Sequence, residues 1–275
     1  MTSSTASTDN DFGRLLKHWR SQRNLSQLAL SMTSNVSQRH ISFIESGRSH
    51  PSRDMVVTLA AALDVPLRQR NQMLSAAGFA PTYSEFDLGA PEVAPIRRAI
   101  DFMLRQQEPY PALVMDRYWN QIKINQGAAQ LIAWLLAGKA VPLELQSQPN
   151  LMKLMLHPEG LRPFISNWES VTTQVMHRVY RESCEAENEQ SQSLFDELLT
   201  YPEVASLWQS PVSDSWQLPL LTVDFVKNDH YLSFFTTITT LGTPYDITLQ
   251  ELRLECLFPA DEATEKHILE ISRTL

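Results

Sequence analysis

The stretch Leu25-Ser-Gln-Leu-Ala-Leu-Ser-Met-Thr-Ser-Asn-Val-Ser-Gln-Arg-His-Ile-Ser-Phe-Ile-Glu-Ser-Gly47 decides how this chain is read. It predicts two short helices, N-capped by Ser26 and Ser37, whose hydroxyls can accept from backbone N–H groups left unpaired in a first helical turn. Asn35 marks the corner between them, a residue that tolerates the left-handed conformation of a tight turn. Two helices, a turn of about three residues and a stop at Gly47 make a helix-turn-helix signature.

At about 100° per residue, the second helix carries Ile41 and Ile44 on one side and Arg39, Ser42, Phe43 and Ser46 on the other, with Gln38 at the margin. Gln, Arg and Ser are the hydrogen-bonding residues that read base edges in a major groove, and Phe suits a thymine methyl. Taken alone, this pattern fits an ordinary amphipathic surface helix equally well.

Upstream, Phe12, Leu15, Leu16 and Trp19 recur at helical spacing and predict a helix over about Phe12–Arg23. Its Arg14 and Lys17 are either phosphate contacts or solvated surface charges. Downstream, Arg48-Ser-His-Pro-Ser-Arg53 is a basic loop whose Ser52 caps a fourth helix, and Arg48 and Arg53 beside that helix start form a phosphate clamp. Met55, Val56, Leu59, Ala60 and Leu63 face inward from the fourth helix. Pro66 opens a fifth, which Gly78 ends.

The net charge of −8 argues against nucleic acid until its distribution is considered. Residues 1–80 hold nine Lys and Arg against five Asp and Glu, so the rest hold 14 against 26. A basic first part joined to an acidic second part fits DNA contact by the first alone. Cys184 and Cys256 stand 72 positions apart without metal-ligand spacing, which predicts buried thiols in a reducing compartment. No apolar run reaches the roughly 20 residues that span a bilayer. The Ser/Thr-rich start lacks the basic and apolar regions of a signal peptide.

Pro81, Pro91 and Pro95 punctuate an aperiodic stretch. The boundaries therefore read 1–11 as a disordered tail, 12–80 as an all-α domain of five helices, 81–93 as a linker and 94–275 as a second domain. In the latter, helix is predicted over Ala94–Gln107, two short strands within Pro111–Asn125 around Asp116-Arg117-Tyr118, and helix over Gln126–Ala137. Asn150–Trp208 is broadly helical, with polar Glu182–Gln192 a solvated helix end or loop. Strands follow at Leu218–Val226, Tyr231–Thr240 and Ile247–Phe258, and Asp261 caps a last helix. This is an α+β domain with an antiparallel sheet of about five strands, and its element order resembles a PAS-like sensor domain.

From Phe12 to about Ala77 the chain resembles the lambda-repressor-like DNA-binding domains of the xenobiotic-response-element family. Arg20, Gln27, Leu30, Ser37, Gln38, Arg39, Ile41, Ile44, Glu45, Gly47 and Pro51-Ser52 carry the likeness. It implies that Gln27 holds a phosphate, that Gln38, Arg39 and Phe43 face bases, and that Arg20 and Glu45 form an internal ion pair. The DNA-binding candidates are Gln27, Ser37, Gln38, Arg39, Ser42, Phe43, Arg48 and Arg53. The chain departs from many relatives at Ser34 and Asn35, where those have a larger apolar residue and Gly.

Over nearly its whole length the chain resembles the MmyB-like transcription regulators. The likeness rests on Ile41–Glu45 with Gly47-Arg48, Asp64–Asn71, Glu108–Val114, His157–Arg162 with Asn167-Trp168, and Phe258–Ala263. It implies a PAS-related domain that binds a small apolar ligand, with fatty acids the associated class. Such a pocket needs apolar walls and a cation or donor for the carboxylate. Trp119, Phe164, Trp168, Phe234 and Phe235 are candidates for the walls and Arg117, Arg162 and Arg253 for the head group, although the commoner role of each is a core aromatic or a surface ion pair.

No HExxH, GxSxG or P-loop pattern is present, so no catalytic or metal-binding residue is expected. The expectation is a cytoplasmic, homodimeric, sequence-specific DNA-binding regulator that is not an enzyme, with double-stranded DNA and an apolar ligand as partners and no membrane. One alternative stays open, a ligand-independent dimeric repressor whose second domain serves only for dimerisation.

Overall fold

Serine hydroxyls start three of the first five helices. Ser26 accepts from the Ala29 N–H (3.0 Å), Ser37 from His40 (3.3 Å) and Ser52 from Met55 (3.3 Å). The computed structural model describes residues 11–186, 189–209, 222–241 and 246–274, which fall into two units. The first contains α1 (Asp11–Gln22), α2 (Gln27–Ser34), α3 (Gln38–Glu45), α4 (Arg53–Ala62) and α5 (Leu67–Ala76). Asn35 takes the left-handed corner at φ 55°, and the buried Ser34 hydroxyl turns back onto the Leu30 carbonyl at 2.6 Å. The two departures from the family pattern are thus locally satisfied. Phe12, Leu16, Trp19, Leu30, Ile41, Ile44, Val56, Leu59, Met73 and Leu74 form one core.

The first unit runs to Phe86 and also takes in a distant stretch that ends at Gln250. Pro66 offers α5 no side-chain cap, and the Leu67 N–H instead donates to Gln250 Oε1 at 2.7 Å. Asp246 accepts from the Phe86 N–H at 3.1 Å, and Ile247 N–H donates to the Ser84 carbonyl at 2.9 Å. Asp246 also caps a short helix by accepting from Leu249 N–H (3.2 Å), so Ile247–Glu251 is helical where the sequence pattern predicts the start of a strand.

The second unit contains α6 (Ala94–Gln106), β1 (Ala112–Met115), β2 (Gln121–Ile124), α7 (Gln126–Leu136), α8 (Leu143–Ser147), α9 (Leu151–Leu156), α10 (Trp168–Ala186), α11 (Glu189–Leu199), α12 (Val204–Gln209), β3 (Thr222–Lys227) and β4 (His230–Thr239). After the short helix already described, α13 (Ile247–Glu251), come β5 (Arg253–Pro259) and α14 (Glu262–Thr274). The five strands form one antiparallel sheet in the order β2-β1-β5-β4-β3. The polar run Glu182–Gln192 spans the end of α10 and the start of α11. The N-terminal tail, residues 218–221 of the expected third strand and most of the turn after Leu241 lie outside the described residues.

Side-chain bonds at both ends of α7 fix it over the sheet. Asn125 accepts from Ala128 (2.8 Å) and Ala112 (2.9 Å), and Glu108 receives the N–H groups of Gln126 (2.7 Å) and Gly127 (2.9 Å). Gly127 leaves no room for a side chain, since a Cβ there would stand 2.2 Å from the Pro109 carbonyl oxygen. At the far end, Lys227 Nζ donates to the carbonyls of Trp134, Leu135 and Ala137.

Candidate DNA-reading face and apolar cavity

Ile41 and Ile44, at 0% and 1% exposure, pin one side of α3 to the core. Ser37, Gln38 and Arg39 are exposed on the other, with Ser42 and Phe43 half-buried. Two guanidinium groups pack on the Phe43 ring, with the Arg39 Cζ 5.3 Å and the Arg48 Cζ 4.6 Å from its centroid. Arg48 is further held by a 2.9 Å bond from Nε to Ser46 Oγ. One aromatic ring thereby gathers two exposed cations onto the outer face of the helix.

Arg20 grips Glu45, the last residue of α3, through Nε–Oε1 (2.6 Å) and Nη2–Oε2 (2.9 Å). Its Nη1 donates to the Leu25 carbonyl at 2.8 Å. Gln27, read from the resemblance as a phosphate contact, directs its amide nitrogen to Glu45 Oε2 at 2.8 Å and so joins the strut that ties α1, α2 and α3. Arg53, exposed at the start of α4, donates to Thr82 Oγ1 at 2.6 Å. The structure therefore brings Arg39, Phe43 and Arg48 together, with Gln38 exposed beside Arg39 in the first turn, while Ser37 caps the helix.

In the second unit, an apolar cavity of about 60 Å³ lies against the sheet face beneath α7 and α9. Leu131, Ile132 and Leu135 of α7 and Leu151, Leu154 and Met155 of α9 line one wall. Leu113, Val223, Phe225, Thr236, Glu255 and Leu257 line the sheet side. The register explains the last group: Leu113 pairs with Glu255 and Thr236 with Leu257, so their side chains share one face.

None of the eight ligand-binding candidates named from the sequence lines this cavity. Arg117 pairs with Glu251 (2.7 Å), Arg162 with Glu203, and Arg253 with Glu182 (3.0 Å). Trp119 is 1% exposed in a second core cluster, its ring between Arg253 (4.3 Å) and Arg178 (5.5 Å) and its indole N–H on Glu182 (2.9 Å). Phe164 and Phe234 are buried packing residues of the cluster beside the cavity, and Trp168 lies under the Arg162 guanidinium at 4.6 Å. Phe235 stacks on Phe258 at 5.3 Å. A family model described as the MmyB-like transcription regulator ligand binding domain matches residues 96–269, more than half of the chain.

The chain belongs to the MmyB-like transcription regulators. A helix-turn-helix model matches residues 16–69 of this MmyB-like regulator. No curated protein matches it. A solved structure titled as that of an RNA-binding light-oxygen-voltage receptor aligns over 100% of this chain and 69% of its own at 8% identity, with a TM-score of 0.27 that is too low to carry an argument. Among the described residues of the MmyB-like regulator, no helix is long and apolar enough to cross a membrane, and no group of His, Cys, Asp and Glu is placed to hold a metal.

Sequence reasoning about this MmyB-like regulator passed over Glu255. Burial pushes its carboxyl up to about 7, against the opposing pull of Arg178, the Thr236 hydroxyl and Arg253. The folded protein thus holds a proton that the unfolded chain releases near pH 4.5, so stability falls as pH rises between those two values. Relative to Glu255→Gln, the wild type is expected to lose about 3 kcal/mol across that window. Urea denaturation of both proteins at several pH values checks this, and parallel pH profiles contradict it.

Proposed function

We propose that this MmyB-like regulator is a cytoplasmic homodimer that reads a specific DNA sequence with α3 and changes its occupancy when an apolar chain molecule, a fatty acid or a relative of one, enters the cavity beside α7. The outward Arg39–Phe43–Arg48 cluster with Gln38 beside it, held by a bidentate ion pair at the foot of its helix, carries the reading. A dimer places one such helix in each of two major-groove half-sites about 10 bp apart, or a multiple of that. A ligand shifts this equilibrium only by its differential affinity for the DNA-competent state.

Genomic binding-site mapping supplies the operator, and titrations on it test the roles of the residues. Arg39→Ala is expected to cost about 1–3 kcal/mol and to relax preference at one base position. Arg53→Ala should weaken all sequences alike and lower the salt slope by about 1. Equal losses on every sequence for both variants would remove Arg39 from base reading. DNA affinity indifferent to bound lipid would favour the constitutive repressor.

A further inference from the structure

Glu255 is the part of the cavity for which the regulator reading has no use. The residue is 8% exposed, and its Oε2 has no hydrogen-bond partner. Apart from Thr236, every other side chain lining the cavity is apolar, and none is Lys, Arg or His. Arg178 and Arg253, whose charges pull on Glu255, lie outside the cavity lining, as does Lys227. Lys227 directs its donors to three carbonyls at the end of α7, and Arg253 is bonded to Glu182 and stacked on Trp119, whose ring Arg178 also faces.

A buried acceptor without a partner is costly, and a donor that enters with a ligand relieves that cost. Above the value near 7 at which Glu255 gives up its proton, a ligand carboxylate in the same place brings a second acceptor and a second buried charge, with no cation among the lining residues to offset it. Resting on the small-molecule reading above, we propose that the cavity selects a long-chain alcohol, whose hydroxyl donates to Glu255 Oε2, over a fatty-acid anion. A site arranged to bond a hydroxyl discriminates strongly because the wrong head group leaves buried polar atoms unpaired.

The test titrates the full-length protein with 1-dodecanol and with dodecanoate at about pH 8, by displacement of a fluorescent apolar probe. The wild type is expected to bind the alcohol at least about tenfold more tightly. Glu255→Gln presents an amide that accepts from a hydroxyl or donates to a carboxylate, so dodecanoate should gain about tenfold while dodecanol changes little. Glu255→Leu should weaken dodecanol about tenfold. Dodecanoate binding the wild type as tightly as dodecanol overturns the proposal. Lys139 is exposed just beyond α7, its Nζ 4.4 Å from the centroid of the Phe164 ring. Binding that Lys139→Gln abolishes and Glu255→Leu leaves intact also overturns the proposal, since it would put the head group at that end of α7. If neither chain displaces the probe from the wild type, the small-molecule reading falls as well.

Discussion

Glu45→Ala is expected to destabilise the first unit by about 3 kcal/mol, because it strands the Arg20 guanidinium in a site where that side chain is 13% exposed. A solvent-screened surface pair contributes only about 0–1 kcal/mol, but the 6% exposure of the Glu45 side chain removes that screening. Gln27 loses its partner in the same stroke. For a unit of this size the midpoint should drop on the order of 15 °C, visible in calorimetry as a shift of one transition. Arg20→Met combined with Glu45→Leu should recover much of the loss, since two apolar groups need no counter-charge. A cost below about 1 kcal/mol for Glu45→Ala would mean that the pair behaves as an exposed one.

Phe234→Ala should cost the second unit about 3–5 kcal/mol. Its ring is 0% exposed and meets Phe225 edge-on at 6.2 Å, so truncation leaves a hole that rigid strands β3 and β4 cannot close. Phe225 lines the cavity, and its relaxation into that hole should weaken ligand binding too. The transition of the first unit should stay where it is. Urea melts followed by near-ultraviolet dichroism report the loss, and a change under about 1 kcal/mol would mean that the site collapses around the smaller side chain.

Caps, corner and core spacing made the DNA-reading half legible because each depends on residues close in sequence. Ser26, Ser37 and Asn35 act within a single turn, and the resemblance supplied the Arg20–Glu45 pair across 25 positions. The cavity was not legible in the same way. Its sheet wall is assembled from β1, β3, β4 and β5, so which side of each strand faces α7 depends on register and on which face is covered. The one ionisable side chain among the lining residues, Glu255, is an acid on β5. The strand predicted from Ile247 failed for a more local reason: Ile247 and Leu252 are both buried, and a separation of five breaks a period of two. Asp246 then supplied the cap that made the segment helical.

The assignment of the stretch through Gln250 to the first unit bears on how this regulator can be engineered. The backbone passes from one unit to the other three times, after Phe86, between Leu241 and Asp246, and after Gln250. A chimera spliced once at residue 86 would discard the glutamine that caps α5 and the aspartate that holds Phe86. Exchanging sensors between such regulators therefore calls for grafting at both ends of an insertion, with the host keeping its own 246–250 segment.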